Sequence, residues 1–181
     1  MKNYIITSLL FLLLGCSQNE YNIDDIIRTD NSPTTEKFSN EPITGKVYKN
    51  FGEKDNLKKV YMGNLLNGKE EGLWTFWSES GLKILEVTYN DGKLEGLITS
   101  WYEDGRKQSE QHFKDGKENG LHTKWYELNG KKQSEQHFKD GKLDGLYIDW
   151  YDNGQKSYEG VYKEGKVIDF KVWKSDGSVR E

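Results

Sequence analysis

The sequence holds little of what a thick globular core or a conventional enzyme needs. Cysteine occurs once, at position 16, proline twice, and apolar residues make up 34% of the 181 residues. A single thiol excludes a disulfide framework within the chain and a cysteine-built metal cluster. The longest nearly apolar stretch, 4–14, is too short to span a bilayer as a helix. A formal charge of −4 offers no basic footprint for nucleic acid or for anionic lipid headgroups as main partners. There is no G-x-x-x-x-G-K-[ST], no G-x-G-x-x-G between a strand and a helix, and no H-E-x-x-H, so no cofactor and no catalytic residues are expected.

What is present is glycine and aromatic rings: 19 Gly, and Phe, Trp and Tyr at 13% together. That mixture suits thin β structure in which the rings do most of the burying. The amino terminus reads differently. Lys2 is followed by the apolar stretch 4–14 and then by Leu13-Leu14-Gly15-Cys16, the order of a secretory leader. The closing tetrapeptide resembles the lipobox of bacterial lipoproteins, which implies that 1–15 is a signal peptide and that Cys16 is lipidated and becomes the new N-terminus. Removal of Lys2 takes the formal charge to −5. Acyl chains would then be the sole membrane contact, with the protein on the cell envelope. With Ser17 rather than Asp after the cysteine, the resemblance implies the outer membrane in a two-membrane cell. Residues 16–42 are polar, acidic and carry both prolines, and are expected to form a flexible spacer.

Beyond residue 42 the chain is organised by repetition. Trp77, Trp101, Trp125, Trp150 and Trp173 recur at intervals of 24, 24, 25 and 23. Gly81, Gly105, Gly130, Gly154 and Gly177 follow four or five residues later. Gly68, Gly92, Gly116, Gly141 and Gly165 each follow Asn, Asp or Glu and precede Lys, and Gly72, Gly96, Gly120 and Gly145 open the units. Within one unit Leu97, Thr99 and Trp101 alternate with Ile98, Ser100 and Tyr102, the period of a strand. Asp104-Gly105 and Asp115-Gly116 supply the reversals. The expected fold is all-β: an elongated, open antiparallel meander of tandem hairpins of about 24 residues. Residues 43–71 read as a degenerate capping repeat, with an insertion near 51–57, and 72–181 as the regular array. The Leu, Thr or Ile, and Trp series is expected to form one continuous apolar ladder.

The unit pattern G-L-x-x-x-W-Y-x-x-G-x-x-x-x-E-x-x-F/Y-x-D-G-K resembles the MORN-repeat variant of many bacterial proteins, including a group described as antitoxins. The resemblance covers about 72–177 and implies an open β-meander scaffold for protein or membrane contacts, with no catalytic residues. It makes a protein partner the first expectation, with an antitoxin or immunity role as an alternative.

Three sets of side chains remain as sites. Glu86, Glu110, Glu135 and Glu159 recur in every unit, so they read as a solvated charge ladder paired with Lys across strands rather than as catalytic acids. His112, His122 and His137 would form a row if the turn near Lys117 set His112 opposite His122, giving ligand types suited to Zn or Cu. Against that, 107–117 and 132–142 are the same eleven residues, so His137 reads as a copy of His112, and the expectation is no metal. Trp74, Phe76, Tyr102, Tyr126, Tyr147 and Tyr151 are expected on the face opposite the Trp ladder. An exposed row of rings there would hold a protein partner, or stack on envelope polysaccharide as the second alternative.

Overall fold

The computed structural model describes residues 19–29, 32–36, 42–52 and 57–180. The leader 1–15 and Cys16 lie outside the described residues. Among those described, no helix is long and apolar enough to cross a membrane.

The repeats form one open sheet. Its strands are β4 (Gly45–Phe51), β5 (Lys58–Leu66), β6 (Lys69–Trp77), β7 (Lys83–Asn90), β8 (Lys93–Leu94), β9 (Gly96–Trp101), β10 (Lys107–Lys114), β11 (Lys117–Trp125), β12 (Lys132–Lys139), β13 (Lys142–Trp150), β14 (Lys156–Lys163) and β15 (Lys166–Val172). From β4 onward the strands pair antiparallel in chain order, with the short β8 pairing β7 beside β9. This is the meander that the repeat spacing predicts. Asn67, Asp91, Asp115, Asp140 and Glu164 all have φ near +50° and each is followed by a glycine with φ between 76° and 81°. Two successive left-handed residues make the tight hairpin turn whose twist matches that of the strands, which is why the second position is glycine throughout.

A lone hairpin is marginal in water, so contacts between units decide whether the array holds. Both long edges of the ribbon supply them. At one edge the turn amides of Gly92, Gly116, Gly141 and Gly165 donate to the carbonyls of Glu70, Leu94, Glu118 and Leu143 of the preceding unit, at 2.8 to 3.0 Å. At the other, the hydroxyls of Tyr102, Tyr126 and Tyr151 donate to the carbonyls of Trp125, Trp150 and Trp173 of the next unit, at 2.7, 2.7 and 2.9 Å.

The stretch expected as a flexible spacer is partly structured. Within it lie β1 (Glu20–Asn22), a 3-10 turn (Ile23–Asp25), β2 (Ile26–Thr29) and β3 (Ser32–Glu36). β1 adds to the sheet parallel to β4, and the β2–β3 hairpin docks through Thr34, whose amide donates to the Gly68 carbonyl at 2.7 Å. The physical reason is apolar burial. Ile26, Ile43, Val47, Met62, Leu65 and Trp74 form a buried cluster, with Tyr21, Ile23, Phe76 and Tyr89 packed against it. The sheet is therefore thick at its N-terminal end and a single layer elsewhere.

Candidate functional site: the two faces of the sheet

The register separates one face built mostly of copied residues from one whose central rows vary along the array. On the first, Thr75, Glu86, Thr99, Glu110, Thr123, Glu135, Ile148 and Glu159 stand opposite one another strand after strand. The Trp series flanks this row, with Trp77, Trp101, Trp125 and Trp150 opposite Lys83, Lys107, Lys132 and Lys156. Each of these lysines pairs with the glutamate three residues on in its own strand, Lys83 to Glu86 at 3.0 Å and likewise Lys107 to Glu110, Lys132 to Glu135 and Lys156 to Glu159. Lys83 and Lys107 also lie over the rings of Trp101 and Trp125 in the next unit, 4.1 and 6.0 Å from the centroids. Two expectations are corrected here. The charge pairs run along the strands and not across them, and the Trp ladder is amphipathic and not continuously apolar. Leu73 and Leu97 of its outer row remain 56% and 42% exposed.

On the second face an aromatic series, Tyr89, Phe113, Phe138 and Tyr162, is kept in every unit, but the two rows beside it vary along the array apart from the duplicated pairs Gln111 with Gln136 and Ser109 with Ser134. One row reads Ile98, Gln111, His122, Gln136, Tyr147, Gly160 and Phe170, with Trp74 and Val87 in the unit before. The neighbouring row reads Phe76, Leu85, Ser100, Ser109, Lys124, Ser134, Asp149, Tyr158 and Val172. The surface changes from apolar, through polar, to aromatic along the array.

The expected aromatic row divides into three roles. Trp74 is 1% exposed and belongs to the core, its indole N–H donating to the Asn64 carbonyl at 3.1 Å and its ring lying against Gly63. Phe76 packs on it with ring centroids 6.2 Å apart. These two are covered because the N-terminal segment folds over the sheet there. Tyr102, Tyr126 and Tyr151 are half-buried, with hydroxyls committed to the bonds between units. Burial holds the phenols of Tyr102 and Tyr126 above the usual range. Tyr147 is the one that lies within the variable face proper. Its ring is 5.1 Å from that of Tyr158 and 5.9 Å from that of Tyr162, and Tyr158 stacks on Phe170 at 6.2 Å. Burial first, then the bond to Asp149, pushes the Tyr147 phenol up to about 12. Tyr158 and Phe170 stand where other units carry unlike residues, and Tyr162 belongs to the aromatic series Tyr89, Phe113, Phe138 and Tyr162, which periodicity reads as part of the repeat.

The histidine row does not form. A bulge in β11, opposite His112, puts Gln111, not His112, opposite His122, and His112 falls opposite Leu97 on the copied face. A one-residue slip reverses the facing of a strand side chain. His112 and His137 instead pack beside Gly120 and Gly145, and their Nδ1 atoms donate to the Leu121 and Leu146 carbonyls at 3.1 Å. Among the described residues no group of three or more His, Cys, Asp or Glu is placed to hold a metal. His122 is buried, with Nε2 2.9 Å from the Gln111 amide and Nδ1 3.3 Å from Glu118 Oε1 without completing a hydrogen bond. Burial, helped by Lys124, pushes its imidazole down to about 4. It is neutral at pH 7, so its contact with Glu118 is not an ion pair.

The arrangement offers an extended two-faced surface rather than a reaction centre. A family model described as MORN repeat variant matches residues 94–115, 121–140 and 143–164, three consecutive hairpins of the sheet. No curated protein matches the chain. Over these units the array is similar to that family's repeats, a tandem-hairpin repeat scaffold.

Proposed function

We propose that this chain is a non-catalytic recognition scaffold of the bacterial envelope that binds a protein partner through the variable face. The observation that carries the reading is the division of labour between the faces. Residues copied in every unit serve the repeat, whereas side chains that differ at equivalent positions serve a particular ligand. At the C-terminal end Val167, Ile168 and Phe170 are 49%, 66% and 59% exposed, apolar surface that a monomer has no internal reason to display. The Asp169 carboxylate accepts the Phe170 amide at 2.9 Å, which satisfies that backbone donor within β15 itself. Envelope attachment rests on Leu13-Leu14-Gly15-Cys16. An antitoxin or immunity role would be a special case, with a toxin as the partner.

The test is capture of partners from the protein's own envelope with the full-length chain, its Phe170→Ala variant, and a Lys131→Ala variant outside the variable face. A protein retained by wild type and Lys131→Ala but lost with Phe170→Ala supports the reading. Retention unchanged by Phe170→Ala, or no protein retained at all, defeats it. Tyr102 and Tyr126 are unsuitable probes, since their removal alters the scaffold along with its surface.

A further inference from the structure

We propose that the variable face holds a saccharide site, a concavity of about 370 Å³ lined by Lys124, Tyr126, Gln136, Tyr147, Asp149 and Tyr151, that takes a neutral pyranose unit of a glycan. This is a second binding activity, separate from the apolar end at Phe170.

The site arises where the variable face departs furthest from its neighbours. In the preceding unit the equivalent positions are closed, since the hydroxyls of Ser100 and Ser109 bond each other at 2.8 Å. In the unit before that they are Phe76 and Leu85. On the variable face the row of Lys124, Ser134 and Asp149 carries charges of both signs, two strands apart. Neither makes an ion pair among the described residues. Asp149 Oδ2 accepts the Tyr147 hydroxyl at 2.7 Å, which leaves the carboxylate acceptor capacity to spare.

The rings around this row are fixed in advance. Tyr126 and Tyr151 donate their hydroxyls to the Trp150 and Trp173 carbonyls, and Tyr147 is held by Asp149. These side chains line the cavity with their rotamers already fixed, and a preorganised aromatic wall lowers the entropic cost of association.

The lining selects its ligand by exclusion. A cation meets Lys124 and an anion meets Asp149. A purely apolar group would strip water from Lys124, Asp149 and Gln136 with nothing in return. A neutral sugar ring satisfies all of them. Its hydroxyls donate to Asp149 and accept from Lys124 and Gln136, while its C–H face lies on a tyrosine. The concavity is open, so one or two units of a longer chain fit and the remainder runs over the surface.

The experiment is a neutral-glycan array probed with the full chain in detergent, with competition by free monosaccharides. The variants are Asp149→Asn, Lys124→Gln and Phe170→Ala, each checked for an unchanged thermal melt. Binding that falls at least tenfold in either Asp149→Asn or Lys124→Gln and persists in Phe170→Ala supports the site. Lys124 is exposed, so its variant keeps the test valid should Asp149→Asn disturb the fold. Absence of glycan binding by wild type, binding that survives both substitutions, or retention of charged peptides alone would overturn it. None of these outcomes bears on protein capture through Phe170, so the two readings fail independently.

Discussion

The hydroxyl of Tyr126 donates to the carbonyl of Trp150, 24 residues further along the chain, at 2.7 Å. Tyr102 and Tyr151 make the same bond one unit earlier and one unit later. A side chain that looks from its exposure like part of a binding surface is thus a joint of the scaffold.

Tyr126→Phe keeps the ring and removes the joint. It is expected to lower stability by about 1 kcal/mol, the typical net worth of one such bond. Combining it with Tyr102→Phe and Tyr151→Phe should cost on the order of 3 kcal/mol if the joints act independently. Urea unfolding checks both values, with an unchanged slope showing that the fold survives.

Gly63→Ala should damage the N-terminal end. A Cβ at Gly63 would lie 2.4 Å from Cδ2 of the Trp74 ring, and that ring is 1% exposed with nowhere to move. Overpacking of this kind typically costs about 1–3 kcal/mol. Near-ultraviolet circular dichroism should show the loss of fixed Trp74 packing, and a lower melting temperature its energetic cost.

Much of the array was legible because glycine and tryptophan punctuate it at fixed intervals, and each Asp-Gly at positions such as 115–116 has only one good turn to form. The site was less legible for three physical reasons. The hairpin turns at Asp115-Gly116 and not at Lys117, and β11 carries two extra residues opposite His112. His122 therefore meets Gln111 while His112 keeps its regular place on the other face, and alternation counted from a turn cannot see a bulge in the partner strand. Trp74 is buried in a cluster that includes Ile26, a residue of the polar stretch whose composition argues against order. The hydroxyls of Tyr102, Tyr126 and Tyr151 reach into the next unit, a relation that appears only once the strands are in register. Alternation alone correctly places Trp74, Phe76 and Tyr147 opposite the Trp ladder.

His122 should make the protein sensitive to acid. Its imidazole titrates near 4 when folded and near 6.5 when unfolded, so below about 6.5 the unfolded chain binds the proton more readily. Its contribution is present above pH 6.5 and is lost progressively as pH falls toward 4, up to about 3 kcal/mol. Glu118, whose carboxyl burial raises, works in the opposite direction, so the comparison is with His122→Gln. The difference in stability between wild type and variant should shrink, or change sign, between pH 7 and pH 4. A difference independent of pH would show that His122 titrates alike in the folded and the unfolded chain.

Cys16→Ala should abolish incorporation of labelled fatty acid and release the protein from the membrane fraction. Persistence of the label in the variant would remove the lipid anchor.

The pairing of β1 with β4 sets a leash length. The Asn19 carbonyl already accepts the Lys46 amide at 2.8 Å, so the folded sheet begins three residues after Cys16. Three residues reach at most about 11 Å. Acyl chains on Cys16, as proposed, would moor the N-terminal end of the ribbon at the headgroups. The other end, eleven strands on at about 4.8 Å each, has a reach on the order of 50 Å. Anchored in this way the protein would act as a boom, whose distance of presentation is set by the number of hairpins rather than by the length of a loose tether.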